Sequence, residues 1–160
     1  MMKRLLAYAV LFVLAAVASA PAFAQNDAFI GTWKLNLAKS SYTNPPAPKE
    51  LTRTLVADGD SITYTYTGTA ADGSSISYGF TVKYDGKDYP VTGSMPGGAD
   101  MIAIKKTGPH SLMATQKKDG KAIGNAKVEL SSDGKSATVT ASGTDASGQS
   151  IGYVSVYDKQ

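Results

Sequence analysis

No cysteine occurs anywhere in the 160 residues. Whatever fold the chain adopts therefore stands without disulfides, and thiolate metal or redox sites are excluded. Histidine is nearly absent too: His110 is the single one, so a zinc site of the usual nitrogen and sulfur type cannot be assembled. It follows Gly108-Pro109 and reads as a turn or strand-start residue rather than a catalytic base. A Ser-His-Asp site would need His110 to meet a serine and an acid, and no serine sits in a nucleophile-elbow pattern. Glu50 and Glu129 are the only glutamates, and most aspartates are taken up by turns, so a carboxylate pair for glycoside hydrolysis has no candidate. The glycine stretches are not followed by a helix and do not make phosphate cradles. The sequence therefore gives no reason to expect an enzyme, a metal site or a cofactor.

Charge of one sign is also lacking once the N-terminal segment is considered. Lys3 and Arg4 precede an unbroken apolar run, Leu5 to Ala18, and Ala22-Phe23-Ala24 forms a small-x-small site before Gln25. A basic start, an apolar stretch and such a site, in that order, mark a cleavable secretory signal over residues 1–24. The run is shorter than the roughly 20 apolar residues that cross a bilayer, and Pro21 follows it. The expectation is an exported protein, periplasmic or secreted, that begins near Gln25. Taking Lys3 and Arg4 from the 16 basic residues leaves 14 against 13 acidic ones, so the net charge falls from +3 to +1. Lysines and aspartates are interspersed, with no basic block, and the electrostatic footprint of a nucleic-acid binder is missing.

The remaining residues 25–160 suit one domain. They are poor in large aliphatic side chains and rich in Thr, Ser, Gly and Tyr. The most regular feature is a series of turn dipeptides: Asp58-Gly59, Asp72-Gly73, Asp85-Gly86, Asp119-Gly120 and Asp133-Gly134, continued by Ser147-Gly148. Asp-Gly favours tight hairpin turns, because both residues tolerate positive φ. Pro96-Gly97-Gly98 and Gly108-Pro109 punctuate the one long gap. Between the turns the side chains alternate. Ile62-Thr63-Tyr64-Thr65-Tyr66-Thr67 sets Ile and Tyr on one face and Thr on the other, and residues 76–84, 136–144 and 151–157 behave alike. No segment after the signal has a helical period, and Pro45-Pro46-Ala47-Pro48 blocks a helix in the one long early loop. The prediction is an all-β, antiparallel up-and-down meander of about 8–10 strands. Closing it into a barrel hides its edges most completely; a two-sheet β-sandwich is the alternative.

Phe29-Ile30-Gly31-Thr32-Trp33-Lys34-Leu35 resembles the opening of lipocalins and intracellular fatty-acid-binding proteins, and Val156-Tyr157-Asp158-Lys159 resembles the ending of the latter. With Asn36, Lys39-Ser40 and the stretch from Lys83 to Gly93, the chain also looks like a group of bacterial exported lipocalin-like proteins. The resemblance implies a calycin barrel with Trp33 plugging its floor. Two departures limit it. Residues 38–49 are too short and too proline-rich for the helix-turn-helix lid of the fatty-acid binders. Their carboxylate-binding arginine, two positions before the tyrosine matched by Tyr157, is here Ser155. Arg53 is the only arginine after the signal, and a buried carboxylate needs a charge-assisted partner. The ligand expected on these grounds is neutral or weakly polar.

Tyr64, Tyr66, Tyr78, Tyr84, Tyr153 and Tyr157 alternate in step with Ile62, Ile76, Phe80, Val82 and Ile151. They either fill the barrel as a core or line a cavity, where a rigid aromatic body grips an apolar ligand and its hydroxyl orients it. On the second reading the candidate ligand-binding residues are Trp33, Tyr64, Tyr66, Tyr78, Phe80, Tyr84, Tyr153, Ser155 and Tyr157, and the partner is a small hydrophobic molecule. A structural or protein-interaction domain is the alternative function; Val154 and Val156, on the face opposite Tyr153 and Tyr157, would then form an exposed apolar patch. An outer-membrane barrel fits less well. One strand face is largely Thr, Ser and Lys, and the chain ends in Gln160 without a terminal aromatic. No stable membrane insertion is expected after signal cleavage.

Overall fold

The computed structural model describes residues 27–160 except residue 146; the expected signal at residues 1–24 lies outside the described residues. Twelve strands make one antiparallel sheet: β1 (Gly31–Leu35), β2 (Ser41–Asn44), β3 (Glu50–Asp58), β4 (Ser61–Thr69), β5 (Ser75–Val82), β6 (Asp85–Pro90), β7 (Thr92–Gly93), β8 (Met101–Gly108), β9 (Ser111–Lys118), β10 (Lys121–Leu130), β11 (Ser136–Thr144) and β12 (Ser150–Lys159). The order is β6-β8-β9-β10-β11-β12-β1-β3-β4-β5-β7, with β2 paired to β12. This single continuous path curls into a nearly closed barrel, which replaces the sandwich alternative. Pairing of β1 with β12 joins the first and last strands of the described residues, with Trp33 opposite Lys159 and Leu35 opposite Tyr157.

Local chemistry sets the turns, though not all as expected. Asp119-Gly120 forms a two-residue hairpin between Lys118 and Lys121, both turn residues having positive φ (49° and 76°). That is the primed geometry matching strand twist. Asp58 instead pairs with Ser61, so the turn is Gly59-Asp60. Asp85-Gly86 makes no hairpin at all. β5 and β6 follow each other in the chain without pairing, and β6 bonds to β8 through a register shift between Asp85 and Asp88. The cause is local. Tyr84 is drawn to the Tyr64 hydroxyl at 2.7 Å, and the Asp85 carboxylate accepts from Lys87 N and the Tyr89 hydroxyl, both at 3.0 Å. The gap between β5 and β6 is the seam of the barrel.

The early loop also differs from the expectation. After a 3-10 turn over Leu37–Lys39 it contains β2, whose Tyr42 faces Tyr153 and whose Asn44 faces Gly152 of β12. The strand count therefore exceeds the expected 8–10, because β2 and the two-residue β7 carry too few residues to show a period.

One end of the barrel is sealed by a compact plug. Trp33 is fully buried, and its indole N–H donates to the Phe29 carbonyl at 2.9 Å, satisfying the one polar atom of the ring. Phe29 is equally buried and meets Tyr84 edge-on at 6.4 Å. Asp27, whose side chain is only 7 % exposed, ties the plug to β8 through Lys106 Nζ at 2.6 Å. Gly31 has φ +134°, and a Cβ there would lie 2.9 Å from Lys159 Cε. The lysine tip could move aside, so it is the positive φ, rarely adopted by L side chains, that calls for glycine two residues before the Trp.

Candidate ligand-binding site

The register decides which side chains meet inside. Arg53, Tyr66 and Tyr78 are cross-strand neighbours on β3, β4 and β5, and Leu55, Tyr64 and Phe80 form the next row. Directly opposed residues stand close enough for their rings to touch. Tyr66 and Tyr78 accordingly stack at 4.5 Å and 9°, and Tyr64 stacks on Phe80 at 4.8 Å. Across the barrel the corresponding row is Ile104, Ala114, Ala126, Ala141 and Tyr153, on β8 to β12. Bulky aromatics on one wall thus face mostly alanines on the other. Such a pairing cannot fill the interior at the density of a closed core, and a cavity of about 390 Å³ remains.

This hollow is lined by Tyr64, Tyr66, Tyr78, Phe80, Tyr153, Ser155 and Tyr157, which the sequence singled out. Trp33 and Tyr84 do not reach it. Trp33 belongs to the plug, and Tyr84 lies behind Tyr64, bonded hydroxyl to hydroxyl. Residues missed from sequence are Tyr42, Leu51, Arg53 and Leu55. Tyr42 stacks on Tyr153 at 5.4 Å, and its hydroxyl meets Ser155 Oγ at 2.6 Å. The mouth is bordered by Pro45, Pro46, Ala71, Asp72, Met95 and Pro96. His110 sits exposed in the turn between β8 and β9, away from this lining.

Burial governs the electrostatics. Desolvation pushes the Tyr64, Tyr78 and Tyr157 hydroxyls well above the ordinary tyrosine range, and Tyr153 is pushed up to about 12 for the same reason. Burial also raises Tyr42, opposed by its bond to Ser155. At neutral pH these groups are uncharged and can donate or accept hydrogen bonds. Arg53 is the exception on this wall. It is 3 % exposed, and its Cζ lies 4.3 Å from the Tyr157 ring centroid and 5.6 Å from that of Trp33.

No protein-family model and no curated protein sequence matches the chain. Solved structures do. Zebrafish ileal bile acid-binding protein complexed with cholic acid is 19% identical, with 83% of this chain and 99% of that one covered and a TM-score of 0.52. Rv2717c from M. tuberculosis is 15% identical over 88% of this chain and 98% of its own, with a TM-score of 0.55. EF1p2_mFAP2b bound to DFHBI is 12% identical over 83% and 94%, with a TM-score of 0.51. The fold is a calycin-like β-barrel. At these identities the likeness is one of architecture.

Proposed function

We propose that the protein is an exported binding protein that holds a small, largely apolar molecule inside the barrel. The observation that carries this reading is the 390 Å³ hollow between the stacked tyrosine wall and the alanine wall. Its size falls in the ordinary range of small-molecule pockets, which are mostly apolar with a few polar groups for orientation. The Tyr153 and Ser155 hydroxyls supply such groups. Two of the similar barrels, the zebrafish bile acid-binding protein and EF1p2_mFAP2b, are themselves described with small molecules bound. Export rests on the N-terminal sequence alone.

Native mass spectrometry of protein purified from its own host, followed by solvent extraction, tests the reading. A bound species of a few hundred daltons, released on denaturation, is the expected result. An empty barrel that also fails to take up N-phenyl-1-naphthylamine, a neutral apolar fluorophore, would overturn it. The alternative of a purely structural or interaction domain gains little here. Val154 and Val156 are half-buried, and the exposed large apolar residues Leu37, Val56 and Met113 sit on separate elements rather than in one patch.

A further inference from the structure

Arg53 is the anomaly of the interior. It lies on the inward face of β3 between Leu51 and Leu55, lines the cavity, and is almost completely buried. A guanidinium keeps its proton under all ordinary conditions, so this is a permanent positive charge away from bulk water. Its Nε is buried without a hydrogen-bond partner among the described residues. No carboxylate among the described residues pairs with it. The one acidic residue of the lining, Asp72, is at the exposed mouth, where Ser74 N and Oγ already engage its Oδ1.

What Arg53 does have is aromatic contact. Its Cζ lies over Tyr157, with Trp33 also within cation–π range. Rings can cover the faces of a guanidinium, but its N–H donors lie in its plane, and rings leave those donors unmet. The acceptor that suits a planar fork of donors is a carboxylate or a similar oxyanion, which it can hold through two parallel bonds. Buried charges are ordinarily paired; this one has its partner's place open onto an apolar cavity.

We propose that Arg53 anchors the anionic head of an otherwise apolar ligand, so that the molecule taken up is a monoanionic amphiphile rather than a neutral one. This rests on the small-molecule reading above and narrows it. The apolar body lies among Tyr66, Tyr78, Ala114 and Ala126, while the head reaches the Arg53 guanidinium. The Tyr157 ring lies against the guanidinium, and burial keeps its hydroxyl uncharged against the lowering influence of the Arg53 charge; it is the natural second donor.

Two fluorophores that differ by one charged group provide the test. 8-Anilinonaphthalene-1-sulfonate carries a sulfonate; N-phenyl-1-naphthylamine has nearly the same aromatic body without it. Both are titrated against the wild-type protein, Arg53→Met and Arg53→Lys, with circular dichroism to check the fold. In the wild type the anionic probe is expected to bind about tenfold or more tighter than the neutral one, a difference of about 1.4 kcal/mol. Arg53→Met should lose that preference, the anionic probe weakening about tenfold relative to the neutral one, while Arg53→Lys, which keeps a charge but not the fork, should retain part of it. If the neutral probe binds and the sulfonate confers no preference, or if the preference survives Arg53→Met, the anionic head is refuted and the small-molecule reading stands. If neither probe enters the wild-type barrel, the small-molecule reading falls, and this inference with it. Should Arg53→Met fail to fold, the wild-type ratio and Arg53→Lys still decide.

Discussion

Arg53 on β3 places its guanidinium carbon 4.3 Å from the ring centroid of Tyr157 on β12, so a cation from one strand rests on an aromatic from the strand on the other side of β1. The contact offsets part of the cost of keeping the charge out of water, and a ring face cannot offset all of it. In the empty protein Arg53 should therefore destabilise the fold. Arg53→Met keeps the length and the apolar contact with Tyr157 while removing the charge. It is expected to raise the unfolding free energy of the ligand-free protein by about 1 kcal/mol or more, read as a higher urea midpoint at unchanged slope. A lower midpoint would mean that Arg53 is held by packing alone.

The plug makes a second prediction. Trp33 is completely buried and its indole N–H is bonded to the Phe29 carbonyl. Trp33→Ala removes the largest fully buried side chain and opens a void beside Phe29, at an expected cost of about 3–5 kcal/mol. Trp33→Phe keeps most of the volume but leaves the Phe29 carbonyl without its donor, at about 1–3 kcal/mol. Urea denaturation of the two variants should rank them in that order.

The plug was legible in the sequence only through resemblance, since Gly31-Thr32-Trp33 is similar to the lipocalin opening, which implies a Trp at the barrel floor. The tyrosine wall was legible as well, since a period of two assigns Tyr64, Tyr66, Tyr78 and Phe80 to one face whatever they pair with. The hollow itself was not. It depends on Ala114 and Ala126, on β9 and β10, arriving opposite rings on β4 and β5, which is a matter of how the whole sheet curls rather than of any one hairpin. β2 escaped for a similar reason: Ser41–Asn44 has only a distant partner on β12 and no local turn to announce it. Arg53 could have been found. The same alternation that places Leu51 and Leu55 inward places Arg53 between them, and an arginine on an apolar face is a stronger signal than another tyrosine.

Alkaline pH should unfold the barrel through the same tyrosines. Burial holds Tyr64, Tyr78 and Tyr157 well above the usual range and Tyr153 at about 12, whereas in the unfolded chain each returns to about 10. A raised native pKa means that the unfolded state loses its protons first. The stability these groups confer is fully present below pH 10 and is lost as pH rises from there through their native values. Each contributes a slope of up to about 1.4 kcal/mol per pH unit within that window. Absorbance at the phenolate band, followed from pH 9 to 12.5, should show these tyrosines ionising together with loss of the β signal in circular dichroism. Independent ionisation of all of them near pH 10 in a folded protein would contradict the burial described here.

Filling the hollow is the most direct check on what it is for. Ala126 lies between Ala114 and Ala141 on the small-residue wall and faces the cavity. Ala126→Leu adds three carbons that project toward the tyrosine wall, into space already empty, so the overpacking penalty that attends such a change in a dense core is small here. The added apolar area is buried, at about 25 cal/mol per Å², and stability should stay level or rise by about 1 kcal/mol. Binding of N-phenyl-1-naphthylamine should fall by about tenfold or more, because the ring system and the leucine compete for one volume. A stable variant with unchanged uptake would place the fluorophore elsewhere on the protein, at the seam between β5 and β6 or on the surface. A strongly destabilised one would show that the walls are closer together than the 390 Å³ between them implies.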